Sequence, residues 1–160
     1  MYERAISLNT VSKAYGLPGL RIGWVVCRDE LLLRRMREMK LYTTICSSAP
    51  SELLVALALR HSERIVADSR SLLAANLPLI DGLLERRAET FSWVHPSAGP
   101  IGFARVSGVA DVTGWCERIA TEAGVLLLPG SVYHEPGHVR LGFGRANLAQ
   151  AIERLDSYLG

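Results

Sequence analysis

A chain of 160 residues with a net charge of +2, 49% hydrophobic and 21% charged, is long enough to bury a core of its own and too nearly neutral for a dedicated nucleic-acid binder, which presents a strongly basic face. Its three cysteines, Cys27, Cys46 and Cys116, are odd in number and widely spaced, which argues against a disulfide framework and for a reducing, cytoplasmic setting. The start of the chain has no apolar stretch behind a basic one, so no secretory signal is read there, and the apolar run Leu53–Leu59 is too short to cross a bilayer, so a soluble protein with no membrane partner is expected.

Taken in chain order, Ala5–Leu8 is a short apolar run that predicts a strand end, and residues 9–21, with Gly16, Pro18 and Gly19, predict a loop. Ile22–Cys27 predicts a second strand, apolar on both faces as in a buried parallel sheet. Asp29–Lys40 predicts a helix in which Arg34, Arg35, Arg37 and Lys40 form a solvated face. A connection over Tyr42–Ala49 leads to Ser48, Pro50 and Glu52, a helix-start signature, and a long helical region follows to Arg87 with a bend at Pro78. Phe91–Val94 and Ile101–Val106 alternate like antiparallel strands around a Pro-Ser-Ala-Gly-Pro turn. Asp111–Ala123 reads as an amphipathic helix, Val125–Leu128 as a strand ended by Pro129-Gly130, His138–Phe143 as a strand, and Asn147–Leu159 as a closing helix capped by Asn147. The order β-β-α-β-β-α after residue 90 implies an α+β unit with a mixed or antiparallel sheet, whereas the first forty residues look like the edge of a larger parallel sheet.

The residues that carry chemistry run from Thr10 to Trp24: Thr10-Val-Ser12-Lys13-Ala-Tyr15-Gly16-Leu-Pro-Gly19-Leu-Arg21-Ile-Gly23-Trp24. A lysine in a loop between buried strands, partly desolvated beside cations, gives up its proton more readily and condenses with a carbonyl. Arg21 offers a planar fork suited to a phosphate dianion, and Thr10 and Ser12 offer hydroxyls to the same group. Gly16, Gly19 and Gly23 let the backbone turn sharply and approach closely. A second signal is His138-Val139-Arg140-Leu141-Gly142-Phe143-Gly144. An arginine inside an apolar strand is costly unless paired, and a substrate carboxylate is a natural partner.

The first segment resembles the fold-type I pyridoxal-phosphate enzymes of the class I/II aminotransferase branch, whose pattern is Ser/Thr-x-Ser/Thr-Lys, an aromatic-Gly, then Gly-x-Arg-x-Gly-aromatic; every one of those positions is matched. The resemblance implies that Lys13 makes the covalent link to pyridoxal 5'-phosphate, that Arg21, Thr10 and Ser12 hold the phosphate, and that Arg140 binds the substrate α-carboxylate. It implies an α/β fold with three parts: residues 1–46 as the edge of the large cofactor-binding domain, 47–88 as connecting helices, and 89–160 as a small α+β domain. Amino acids and 2-oxo acids would be the substrates, and a homodimer the assembly. The segment from Tyr42 to Glu52 also resembles the branch that includes capreomycidine synthase, which leaves cyclase or lyase chemistry open beside transamination. The chain as a non-catalytic remnant, or as one subunit of a split enzyme whose N-terminal half is separately encoded, is a further alternative.

His134-Glu135-Pro136-Gly137-His138 matches the spacing of a zinc-binding helix, but Pro136-Gly137 forbids that helix, so the segment reads as a turn leading into the Arg140 strand and no metal site is assigned. The acid that faces the pyridine nitrogen, the ring-stacking aromatic and the Gly-rich phosphate turn lie upstream of the lysine in the resembled family, and none is placed among these residues. The 160-residue chain is therefore expected to bind cofactor weakly, to lack turnover by itself, and to expose apolar faces on the strands around Lys13.

Overall fold

A computed structural model describes residues 4–160; the first three residues, part of the segment in which no leader is read, lie outside the described region. Two compact units divide at Ser69 and Arg70, inside one helix.

The first unit holds an antiparallel hairpin of β1 (Ser7–Thr10) and β2 (Gly23–Val26), then α1 (Glu30–Thr43), α2 (Ala49–Arg60) and the start of α3 (Ser62–Arg86). The double-sided apolar run at β2 predicts a strand of parallel type. The partner found among the described residues is β1, and the pairing is antiparallel. An apolar pattern on both faces reports the environment a strand is suited to, not the direction of its neighbour. That surface stands open here: Leu8 is 80% and Val26 37% exposed, as expected for strands whose apolar faces are uncovered.

α1 is capped by Asp29, whose carboxylate accepts from Leu32 N at 2.9 Å. It runs three residues beyond Lys40, because Lys40 ties the next turn down by donating to Thr44 Oγ1 at 3.0 Å. Pro50 sits in the first turn of α2, where its missing N–H costs nothing. The long helical region is broken at His61 (φ −108°, ψ 23°), and Pro78 lies inside α3.

The second unit, Arg70–Gly160, contains the rest of α3, β3 (Phe91–Trp93), β4 (Ile101–Val106), α4 (Val112–Arg118), β5 (Leu128–Pro129), β6 (His138–Gly142) and α5 (Leu148–Leu159). The sheet order is β3-β4-β6-β5 with every neighbouring pair antiparallel, in keeping with the β-β-α-β-β-α order. The alternation in β4 buries Gly102, Ala104 and Val106 and exposes Ile101, Phe103 and Arg105. The buried face, with Val139 and Leu141 of β6, packs on Ile80, Leu83 and Leu84 of α3, Trp115 and Ile119 on and just after α4, and Leu148, Ile152 and Leu155 of α5.

α4 starts at its Asp111 cap, whose side chain accepts from Gly114 N at 3.0 Å, and passes into a wider π-type turn over Ile119–Ala123. Val125–Leu127 shows the buried-exposed-buried alternation of a strand yet forms no ladder among the described residues, so β5 is confined to Leu128–Pro129. Asn147 occupies the cap position of α5 without a side-chain bond. At the end of α3, Arg86 donates to Asp156 of α5 at 2.7 Å and Arg87 at 2.8 Å. These guanidinium hydrogen bonds, Arg86's first and Arg87's next, lower the Asp156 pKa below its ordinary value. None of the helices among the described residues is long and apolar enough to cross a membrane.

Candidate active site

The β1–β2 hairpin builds the loop that carries the Thr10–Trp24 motif. Thr10 at the end of β1 faces Gly23 at the start of β2. A side chain at Gly23 would place its Cβ 2.6 Å from the Asn9 carbonyl oxygen, so this approach of two backbones needs glycine. Gly23→Ala is expected to push the strands apart and cost about 1–3 kcal/mol, read as loss of amide-exchange protection across Ser7–Thr10.

The loop hangs on Val11, which is fully buried. Its N–H donates to Ile22 O at 3.3 Å, and its carbonyl accepts from Leu17 N at 3.1 Å. Gly16 N donates to Lys13 O at 3.0 Å, closing a turn in which Gly16 takes the left-handed conformation, φ +63°. Gly19 has neither a positive φ nor a close neighbour, so the freedom expected of all three glycines is used at Gly16 and Gly23 only. α2 packs on the short helical turn Pro18–Leu20 that follows, with Val55 and Ala58 buried.

Thr10 and Ser12 are brought together: their hydroxyl oxygens lie 2.9 Å apart, Thr10 Oγ1 donates to Ile22 O at 3.1 Å, and Ser12 N donates to Thr10 Oγ1 at 3.2 Å. Arg21 ends the Pro18–Leu20 turn with φ 54° and ψ 37°, a left-handed conformation that costs a non-glycine residue about 1 kcal/mol. Strain of that kind gathers where a side chain has to be held in place. Its guanidinium bends back, Nη1 donating to Pro18 O at 2.8 Å, so it is not joined to the hydroxyl pair.

Lys13 is exposed and among the described residues has no hydrogen-bond or ion-pair partner. The desolvation expected from sequence is therefore absent, because nothing among the described residues covers the outer side of this loop. A free primary amine, a guanidinium and two rotatable hydroxyls on one short loop form a donor set that fits an aldehyde-bearing phosphate monoester such as pyridoxal phosphate.

Arg140 belongs to the second unit. It lies on the outer face of the sheet, half-buried, opposite Phe103 of β4 in register, and its Nη1 donates to Tyr133 Oη at 2.7 Å. It is thus not sunk in an apolar interior: β6 alternates, with His138 and Arg140 outward and Val139 and Leu141 inward. The segment His134–His138 is a turn, with His134 left-handed at φ 62°. His95, which reads as a lone surface histidine, is exposed but lies 3.3 Å from Asp81.

Three residues here escape sequence reasoning. Val11 looks like any apolar residue; Tyr133 sits in a turn with no periodicity; Asn76 is 5% exposed within an apolar helix face and donates to the carbonyls of Phe143 and Arg145, at 2.7 and 2.8 Å. Only Asn76 carried a signal, as a polar residue on a buried stripe.

A strained, glycine-dependent hairpin loop that presents a lone lysine, followed by an α+β unit with an outward arginine, defines a chain of the pyridoxal-phosphate transferase type, fold type I. The chain belongs to the class I and II aminotransferase family, whose model matches residues 1–155. It is 31% identical to capreomycidine synthase from Streptomyces vinaceus, over 99% of this chain and 41% of that protein. It is 26% identical to aspartate aminotransferase from Thermotoga maritima, over 99% of this chain and 40% of that protein. Among solved structures, a PLP-dependent aminotransferase from Streptococcus suis superposes with a TM-score of 0.91 at 32% identity, covering 99% of this chain and 42% of that one. The PLP-dependent cyclase OrfR superposes with a TM-score of 0.88 at 28% identity, over 96% and 42%. The chain thus spans about two-fifths of the length of the curated relatives it matches.

Proposed function

We propose that this chain contributes the lysine-bearing part of a pyridoxal-phosphate-dependent enzyme that transfers the amino group of an amino acid to a 2-oxo acid. The observation that carries the reading is the Lys13 loop: the turn closed by Gly16 leaves the Lys13 amine exposed with no partner among the described residues, and the Thr10–Ser12 hydroxyl pair lies just before it. Lys13 would hold the cofactor through its aldehyde, Arg21, Thr10 and Ser12 would hold its phosphate, and Arg140 would orient the substrate carboxylate through its planar fork. When bound, pyridoxal phosphate supplies an electron sink at the substrate α-carbon. The Lys13 amine would hold and move the proton at the substrate α-carbon. Residues 1–46 then form the edge of the cofactor-binding domain, 47–88 the connecting helices and 89–160 the small domain. A homodimer in the cytoplasm suits this reading.

A second reading, cyclisation of an amino acid side chain on the same cofactor, is favoured by the likeness to capreomycidine synthase and to the cyclase OrfR. The two are separated by products. An amino-acid panel offered with a 2-oxo acid and pyridoxal phosphate yields a new 2-oxo acid and a new amino acid under the first reading. Under the second, one amino acid changes in mass or ring content with no 2-oxo acid formed. Neither product from the enzyme that contains this chain would sink both.

A further inference from the structure

Arg140 is held by a neighbour that the family motif does not name. The Tyr133 hydroxyl accepts from Arg140 Nη1 at 2.7 Å. The Tyr133 ring meets Phe103 edge-on, with centroids 5.9 Å apart at 90°, and Phe103 stacks on His138 at 4.9 Å and 4°. Phe103 is also the cross-strand partner of Arg140, so the aromatic group and the guanidinium share one outer face of the sheet.

The turn that carries Tyr133 is fixed at both ends: Glu135 N donates to Gly130 O at 2.9 Å and His138 N to Glu135 O at 3.1 Å. A side chain at Gly130 would run into the Glu135 carbonyl oxygen, which keeps the turn tight against β6. Tyr133 is thus held in place although it is 45% exposed.

The chemistry of the pair is directional. In this bond the phenol oxygen is the acceptor, so its own proton has to go elsewhere, and among the described residues it has no acceptor. A hydroxyl that accepts from a cation is polarised into a better donor. A carboxylate offers about four acceptor sites, and an arginine fork uses two of them.

We infer that Tyr133 is a second carboxylate-binding residue, accepting from Arg140 and donating its O–H to the ligand oxygen that Arg140 pairs with. This rests on the assignment of Arg140 as the substrate-carboxylate residue. It makes the site selective for a ligand with a lone pair left over after the fork is engaged, as a carboxylate has.

The test is titration of the 15N-labelled full chain with propionate, followed at the backbone amides of β6, with propionamide as the uncharged control. In the unaltered chain propionate shifts these amides saturably and propionamide does not. Tyr133→Phe, which keeps the ring against Phe103, weakens propionate binding about tenfold, while Phe103→Leu, which keeps the hydroxyl, weakens it less. Unchanged affinity in Tyr133→Phe, or a loss in Phe103→Leu as large as in Tyr133→Phe, overturns the role of the hydroxyl. Arg140→Gln separates the two layers. If it abolishes binding, the Arg140 assignment stands whatever Tyr133→Phe shows; if propionate binds it as before, or shifts nothing in the unaltered chain, the Arg140 assignment itself falls.

Discussion

Lys13→Ala is expected to lower amino-group transfer by on the order of 10³-fold or more, measured as 2-oxo acid formation by the enzyme that contains this chain. The substitution removes the only described primary amine that stands without a partner. The second lysine of the sequence, Lys40, already donates to Thr44 Oγ1 at 3.0 Å and lies within 3.4 Å of Ser47 Oγ. The fold should not suffer, because Lys13 is exposed and its loop hangs on Val11, whose backbone bonds to Ile22 and Leu17 do not involve the lysine side chain. The proposed phosphate anchors Arg21 and Thr10 are left in place, so the cofactor is expected still to bind, without a covalent link. A small alkylamine added to the variant should restore part of the rate if the lysine serves as the base that moves the proton. A variant with the rate of the unaltered enzyme would remove Lys13 from the chemistry.

The largest effect on stability is expected at Phe143, which is 1% exposed in the core of the second unit. Phe143→Ala should cost about 3–5 kcal/mol, the transfer of a buried ring plus the cavity it leaves. For a unit of this size that corresponds to a fall in Tm of roughly 12 °C or more. The cost has a second source. The Phe143 carbonyl accepts from the buried Asn76 side chain at 2.7 Å, and its N–H donates to Pro100 O at 2.9 Å, so a shift of this residue loosens bonds from α3 and from the turn before β4. Phe143 directly follows β6, so Arg140 and its bond to Tyr133 should lose definition with it. Thermal unfolding followed by near-ultraviolet circular dichroism measures this, and a drop of only one or two degrees would contradict the packing described for Phe143.

What the sequence made legible, and what it did not, follows from how local each signal is. The Lys13 loop is legible because its chemistry fixes residue types at fixed spacing, and two of its glycines meet demands that only glycine satisfies. β4 is legible because one face is buried and the other is not, so its alternation is unbroken from Ile101 to Val106. The helix start at Asp111 is legible because a carboxylate there satisfies N–H groups that have no other partner, whereas Asn147, read as a cap, makes no side-chain bond among the described residues.

The failures concern partners, which a local pattern does not name. Val125–Leu127 has the alternation of a strand because both ends of the segment, 8% and 6% exposed, reach the core while Leu126 is 87% exposed, yet no strand among the described residues hydrogen-bonds to it. β2 has the composition of a parallel strand, and the partner it finds among the described residues, β1, pairs with it antiparallel. The break at His61 has no glycine or proline to announce it. Tyr133 was invisible for the same reason: its importance lies in what its hydroxyl touches seven residues further on.

The most direct test of the central claim is to titrate the chain with pyridoxal phosphate, reduce with borohydride and map the modified peptide. With two lysines, Lys13 and Lys40, the chain carries its own control. The account predicts an absorbance change of cofactor capture and a reduced adduct on Lys13 alone, lost in Lys13→Ala and weakened in Arg21→Ala. No adduct, or adducts shared between Lys13 and Lys40, would contradict it, for then the loop would carry the residues of the motif without forming the site.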